Sequence, residues 1–244
     1  FQNRTLIFMN ITKEKVTSYD LEKKSAHQRI DWAIQNFSQN IFLSTSFGIQ
    51  SAVMLHIITQ KIPHIPIVFI DTGYLFPETY EFAETLSKRL KLKVLTFKSL
   101  VEPKQQELKY GKLWEQGIEG LNKYNKLNKI EPMKRAIKEL NKKAWFAGIR
   151  REQSQSREEK PVVEIQNNIT KIYPIIDWDD RKIDIYLKKN NLPYHPLWNK
   201  GYVSVGDWHS SKPLTSNMKP EETRFNGIKR ECGLHLDFDQ GGGI

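Results

Sequence analysis

The sequence predicts an α/β fold: a mostly parallel sheet with helices on both faces and a loosely structured C-terminal tail. Three observations predict it. Short unbroken apolar runs, IFLSTSF (41–47) and IPIVFID (65–71), read as strands buried on both faces. A helix-patterned stretch, GIQSAVMLHIITQK, separates them within roughly 30 residues, which makes a βαβ unit with a right-handed crossover. The same alternation then repeats down the chain.

Taken in order, the chain is polar up to about Ser25 and reads as an N-terminal extension, 1–25. HQRIDWAIQNF follows, with Ile30, Trp32, Ala33, Ile34 and Phe37 at spacings that suit an amphipathic helix. After the βαβ unit, PETYEFAETLSKRL is a helix with Pro77 in its first turn, where a missing N–H does no harm. KVLTF is the third strand, EPMKRAIKELNKK a helix, and AWFAGIR a fourth strand. KIYPIIDW reads as extended and RKIDIYLKKNN as one more helix. Beyond Pro193 the chain turns to Gly, Pro, His and Ser with little periodicity, so a long loop is expected with one short helix, TRFNGIKREC. The expected organisation is an α/β unit over 26–195 and a C-terminal segment over 196–244.

Hydrophobic residues make up 39% of the chain and aromatics 11%, enough for a filled core. No run of about 18 apolar residues occurs, so no membrane span is expected. No apolar stretch followed by small residues opens the chain, so no secretory signal is expected. Cys232 is the one cysteine, which excludes an intramolecular disulfide and a cysteine-rich zinc or iron–sulfur site within one chain. A lone thiol fits a reducing cytoplasm. The net charge of +10 points to an anionic partner, nucleic acid or a phosphorylated small molecule, although lysines such as those in KRAIKELNKK also suit a solvated helix face.

Four stretches could carry chemistry. Ser44 to Ser51, STSFGIQS, joins the first strand to its helix, and Ser44, Ser46, Gly48 and Ser51 surround a helix N-terminus that favours an anion. Gly48 lets the backbone come close to such a ligand. Read alone, the stretch is also an ordinary β–α turn with a serine cap. DTGYLFPETY places Asp71, Thr72 and Gly73 at the end of the next strand, where ligands of open parallel sheets bind; a turn carboxylate is the competing reading of Asp71. GIRREQSQSR gathers Arg150, Arg151 and Arg157, whose guanidinium forks match phosphate and sulfate oxygens. A solvated charged loop fits these residues equally well. KRECGLH sets Cys232 after Lys229 and Arg230, with His235 three residues on; cationic neighbours lower a thiol pKa and favour a nucleophile.

Together STSFGIQ, DTGYLFPETY, YGKLWEQG, KIEPMKRAIKELN, WFAGIRREQSQSR, YHPLWNKGYVSVGD and KRECGLH resemble the phosphoadenylyl-sulfate (PAPS) reductase family, from about Arg29 to His235. The resemblance implies a Rossmann-like adenine nucleotide α-hydrolase (PP-loop) fold and a homodimer. It implies reduction of 3′-phosphoadenylyl sulfate to sulfite and adenosine 3′,5′-bisphosphate. It assigns Ser44 to Ser51 to the phosphosulfate and Asp71, Thr72 and Gly73 to the adenosine end. The sulfate-gripping cations would include Lys129, Arg150, Arg151 and Arg157. Tyr202 matches a tyrosine associated with activity, and Cys232 the catalytic cysteine on a mobile C-terminal segment. No bound cofactor or metal is implied; the electron donor would be thioredoxin or glutaredoxin. Independently of the family, one cysteine leaves the chain no resolving thiol, so the reductant must be external.

Three rivals are weighed against this. Adenylyl-sulfate reductases carry a cysteine pair and a later CxxC for a four-iron cluster, and KYNKLNK before KIEP has no cysteine. A PP-loop ATP pyrophosphatase would show SGGxDS, whereas SFGIQS replaces a glycine and the aspartate. A nucleic-acid binder would interleave basic and aromatic residues on one surface, and here the arginines gather at strand-end loops.

Overall fold

The computed structural model describes residues 20–166 and 168–225. Helix α1 (Ala26–Phe37) opens with a capping box between Ser25 and Gln28 and buries Ile30 and Ala33, with Trp32, Ile34 and Phe37 packed against the core. The two expected strands follow as β1 (Ile41–Thr45) and β2 (Pro66–Asp71), separated by α2 (Ala52–Thr59). Seven of the eight residues of α2 are buried, so it is an inner helix with no polar face. Helix α3 (Pro77–Leu90) starts on Pro77 as expected and stops at Lys91, which takes a left-handed conformation. Strand β3 (Lys93–Lys98) completes this half of the sheet.

Next come α4 (Pro103–Tyr110), α5 (Gly117–Asn125), a π-turn over Lys126–Ile130 and α6 (Glu131–Leu140). The sequence patterns had indicated only the last of these. Strand β4 (Ala144–Phe146) is shorter than AWFAGIR suggests. Just beyond it Gly148 passes α2 so closely that a Cβ would lie 2.9 Å from Met54 Cγ. KIYPIIDW contributes only its first two residues to a strand: β6 (Ile169–Ile172) starts two residues upstream of it and pairs antiparallel with β5 (Val163–Gln166). Helix α7 (Asp180–Lys189) is capped by the Asp179 carboxylate. Of TRFNGIKREC, Thr223 ends a 3₁₀ turn and Arg224 bridges to Ser211; the remainder, from Asn226, lies outside the described residues.

The six strands run β3-β2-β1-β4-β6-β5, all parallel except β5. This is the expected mostly parallel α/β sheet. The order reverses between β1 and β4, so right-handed crossovers put α2 and α3 on one face and send α6 to the other, against β2 and β3. The inner strands bury almost every side chain, and Phe42 of β1 stacks on Trp145 of β4 at 5.6 Å. Arg29 of α1 is wholly enclosed and donates to the carbonyls of Leu21, Glu22 and Pro174 and to the Asp177 carboxylate, which ties the helix to the chain leaving β6. Among the described residues no helix is long and apolar enough to cross a membrane.

Candidate active site at the strand ends

A reversal of strand order opens a crevice outside the carboxyl ends of the flanking strands. Here those ends are β1 and β4, with β2 beside them. The loop after β1 takes its shape from Phe47, a non-glycine residue at φ 48°. Its amide is held by Thr45 Oγ1 at 3.0 Å, and its ring is buried against Phe69. That turn leaves Ser46 exposed at the rim, with Gly48 and Ser51 partly covered behind it. Gly48 lies under the next layer of chain, since a Cβ there would meet Ser46 Oγ at 3.3 Å and the Val205 carbonyl at 3.6 Å. Ser44 sits deeper, its Oγ accepting a hydrogen bond from Trp145 Nε1 at 2.6 Å.

The loop after β2 is organised by Asp71. Its Oδ1 accepts from the Gly73 amide at 2.9 Å and from the Tyr80 hydroxyl at 2.7 Å, and Lys98 pairs with Oδ2 at 3.1 Å. Gly73 has φ +76°, and a Cβ would fall 2.6 Å from Pro103 Cγ, so the turn needs glycine for both conformation and space. Thr72 donates its hydroxyl to Asp207 and accepts from the Tyr74 amide.

Asp207 brings two distant parts of the chain together. It is 1% exposed, pairs with Lys129 Nζ at 2.7 Å, and its backbone bridges to Leu75. Lys129 rides the π-turn, a local widening of the helix common at functional sites, and lies inside with its Nζ over the Tyr124 and Phe225 rings. Burial alone would raise the Asp207 pKa; the Lys129 charge and the Lys129 and Thr72 hydrogen bonds outweigh it and hold the group below its usual range. Beside this pair His209 stacks on Trp114 at 4.1 Å and 11°, edged by Tyr74 and Tyr124. Burial pushes its pKa down to about 4, against the pull of Asp207, so the ring is neutral near pH 7.

Tyr202 packs edge-on against Phe76 at 5.5 Å, in a small cluster with Ile49, Leu197 and Val205. His195 holds this segment in place. It is fully enclosed, its amide donates to the Ile49 carbonyl, and Nδ1 accepts from the Leu197 amide at 3.1 Å. The proton therefore sits on Nε2, which donates to Thr79 Oγ1 at 3.0 Å. The segment after Pro193 is thus an ordered layer across the strand ends, at least as far as Phe225.

The three arginines divide. Arg150 reaches the loop after β1, but its guanidinium is bonded to Gln50, Asp180, Glu152 and the Trp178 carbonyl, so it braces that loop against α7. Arg151 points to the Lys160 carbonyl and Glu22, at the N-terminal side of the described chain and not at the loop after β1. Arg157 donates to Gln153 Oε1 at 2.7 Å. Lys229, Arg230, Cys232 and His235 lie outside the described residues. His195 and Asp207 lie within YHPLWNKGYVSVGD, but no local pattern gives them or His209 a role, because their partners are 78 to 135 residues away in sequence. Among the described residues no three His, Cys, Asp or Glu side chains gather as a metal would require.

Residues 40–213 match the family model for the phosphoadenosine phosphosulfate reductase domain. The chain belongs to this reductase family. It is 55% identical over 215 residues to a phosphoadenosine 5′-phosphosulfate reductase of Zymomonas mobilis, with 88% of each chain covered. A Photorhabdus laumondii protein of the same name is 54% identical over the same share of both chains. Among solved structures, PAPS reductase from Candida auris, a phosphate complex, aligns with TM-score 0.68 and 31% identity over 82% of this chain and 95% of that one. FMN adenylyltransferase from Candida glabrata aligns with TM-score 0.60 over 80% of this chain and 65% of its own, but at 19% identity it speaks only to the fold. The PP-loop type of α/β fold is therefore common to the reductase family and to this wider set of nucleotide-handling proteins.

Proposed function

We propose that the protein is a phosphoadenylyl-sulfate reductase of assimilatory sulfate reduction, converting 3′-phosphoadenylyl sulfate to sulfite and adenosine 3′,5′-bisphosphate. The observation that carries this reading is the 55% identity to a reductase of that name across most of both chains. The site adds support: a serine- and glycine-bearing loop, a buried lysine and Tyr202 converge on the strand ends where a nucleotide binds in such sheets.

In this reading the loop Ser44 to Ser51 faces the phosphosulfate, and Asp71, Thr72 and Gly73 line the adenosine end. Lys129 supplies positive charge to the sulfate, Arg150 acts through the loop it braces, and Arg151 and Arg157 draw the anion in from farther out. Cys232 attacks as the thiolate, which Lys229 and Arg230 favour, with His235 and Tyr202 beside the reacting sulfur. A sulfur–sulfur bond forms, the sulfur–oxygen bond to the phosphate breaks, and adenosine 3′,5′-bisphosphate leaves with the electron pair. The S-sulfocysteine is then attacked at Cys232 Sγ by one thiol of thioredoxin or glutaredoxin. Sulfite departs and leaves a Cys232–donor disulfide; the donor's second thiol attacks its own linked sulfur, expelling the Cys232 thiolate and closing the donor disulfide, two electrons being supplied in all.

We place the nucleotide-binding unit at 26–195, the segment that delivers Cys232 at 196–244, and an extension at 1–25. The protein works as a homodimer in a reducing cytoplasm, with no prosthetic group. The test is sulfite release with reduced thioredoxin. Turnover of 3′-phosphoadenylyl sulfate well above that of adenylyl sulfate, abolished in Cys232→Ser, is expected; equal turnover of the two nucleotides, or full activity in the variant, rejects the reading.

A further inference from the structure

Lys129 is an uncommon cation for an anion site, because it is already paired. Its side chain is 8% exposed and its Nζ lies 2.7 Å from Asp207 Oδ2, itself 1% exposed. Such a pair contributes little net stability once both charges have been desolvated. Its value lies in what it orders. The same carboxylate accepts from Thr72 at the end of β2, and its backbone carbonyl accepts from the Ser210 and Ser211 hydroxyls and the Ser210 amide. The neighbouring Trp208 amide donates to the Tyr74 carbonyl. Asp207 is thus a post on which the loop after β2, the turn at 207–211 and the π-turn lysine are all hung.

We infer that Asp207 is a positioning residue for substrate binding, fixing the Lys129 ammonium beside the loop after β2; this rests on the reading of Lys129 as a sulfate-gripping cation. Around Lys129 and its carboxylate stand Tyr124 from α5, Tyr74 from the loop after β2, Tyr80 from α3, the neutral ring of His209, and Arg224 beside Phe225. Asp71 is bonded to Tyr80 and Glu107 to Tyr74, and Asp207 is the carboxylate that contacts the Lys129 ammonium. Without it the ammonium loses the contact that fixes it beside the loop after β2.

The isosteric change Asp207→Asn keeps one oxygen as an acceptor for Thr72 and replaces the charged oxygen facing Lys129 with an amide donor. We expect KM for 3′-phosphoadenylyl sulfate to rise by about tenfold or more, the scale of a lost charge-assisted contact. Lys129→Met should raise KM by a similar factor, and Asp207→Asn added to Lys129→Met should do nothing more, since there is no longer a charge to hold. A role in folding alone would cost the same in both backgrounds, and that result overturns the inference. If Lys129→Met leaves KM unchanged, the assignment of Lys129 itself fails, and the inference with it. If Lys129→Met raises KM but Asp207→Asn does not, the positioning role alone is wrong. Should Asp207→Asn not fold, the double variant, which buries no unpaired charge, decides: KM equal to that of Lys129→Met supports the role, and a further severalfold rise rejects it.

Discussion

His195 shows how one enclosed side chain can organise a site it does not enter. It accepts from the Leu197 amide, donates to Thr79, and through its own amide holds the Ile49 carbonyl, so it fastens the segment before Tyr202 to both α3 and the loop after β1. The Nδ1 contact needs the neutral ring, since a protonated Nδ1 could no longer accept from the Leu197 amide. Burial lowers its pKa from 6.5 to about 4, with Glu78 pulling weakly the other way. The unfolded chain therefore takes up a proton near pH 6.5 that the native chain refuses until about pH 4, and stability must fall as pH drops through that window. The loss from this one group reaches about 3 kcal/mol. His209 and His56 are shifted in the same direction and add to the slope. Urea midpoints measured from neutrality down to pH 4 should decline, and His195→Gln should decline less steeply from a lower starting point. A flat profile in the parent protein would refute the neutral-ring assignment.

At the level of elements, α1 depends on Arg29 as much as on its apolar stripe. Ile30 and Ala33 are readable from helical spacing, but Arg29, just before Ile30, reads as an ordinary exposed cation, and the fold encloses it completely. It serves three carbonyls and Asp177 at once, replacing the water those groups would lose. Arg29→Ala should destabilise the protein by about 3 kcal/mol or more, because the enclosed carbonyls are left without donors. Chemical denaturation measures this, and a change within ±0.5 kcal/mol, the scale of a surface substitution, would show that the clamp is idle. Strand β3 illustrates a different pressure. It forms one edge of the sheet and carries Lys93 and Lys98 at its two ends, which discourages another strand from pairing with it.

Across the whole molecule, the sheet and the layer laid over it divide the work. The sheet supplies rigid strand ends; the segment from His195 to Phe225 crosses them and leads toward the stretch that bears Cys232. Our mechanism requires that cysteine to be loaded by substrate and unloaded by a second protein. A single turnover without any dithiol should leave Cys232 heavier by one SO₃ group, detectable by mass spectrometry of the peptide that contains it. Adding reduced thioredoxin should remove the adduct and release sulfite. An unmodified Cys232 after substrate is consumed would exclude the covalent route.

What the sequence determined by itself was everything written in local pattern. Unbroken apolar runs at IFLSTSF and IPIVFID became β1 and β2, Pro77 opened α3, and the anion-friendly loops lay at the strand ends where βαβ order put them. Short-range periodicity and turn chemistry suffice for such features. The hairpin of β5 with β6 and the π-turn under Lys129 escaped it, since an edge strand is decided by its partner and a one-residue widening leaves no periodic trace. Only the tertiary structure decided which polar residues act together. Arg150 and Arg151 are neighbours in sequence yet brace opposite directions, while Lys129, Thr72 and Asp207, up to 135 residues apart, share one buried contact. Buried charges must find a partner wherever the fold brings one, and that choice is made in space.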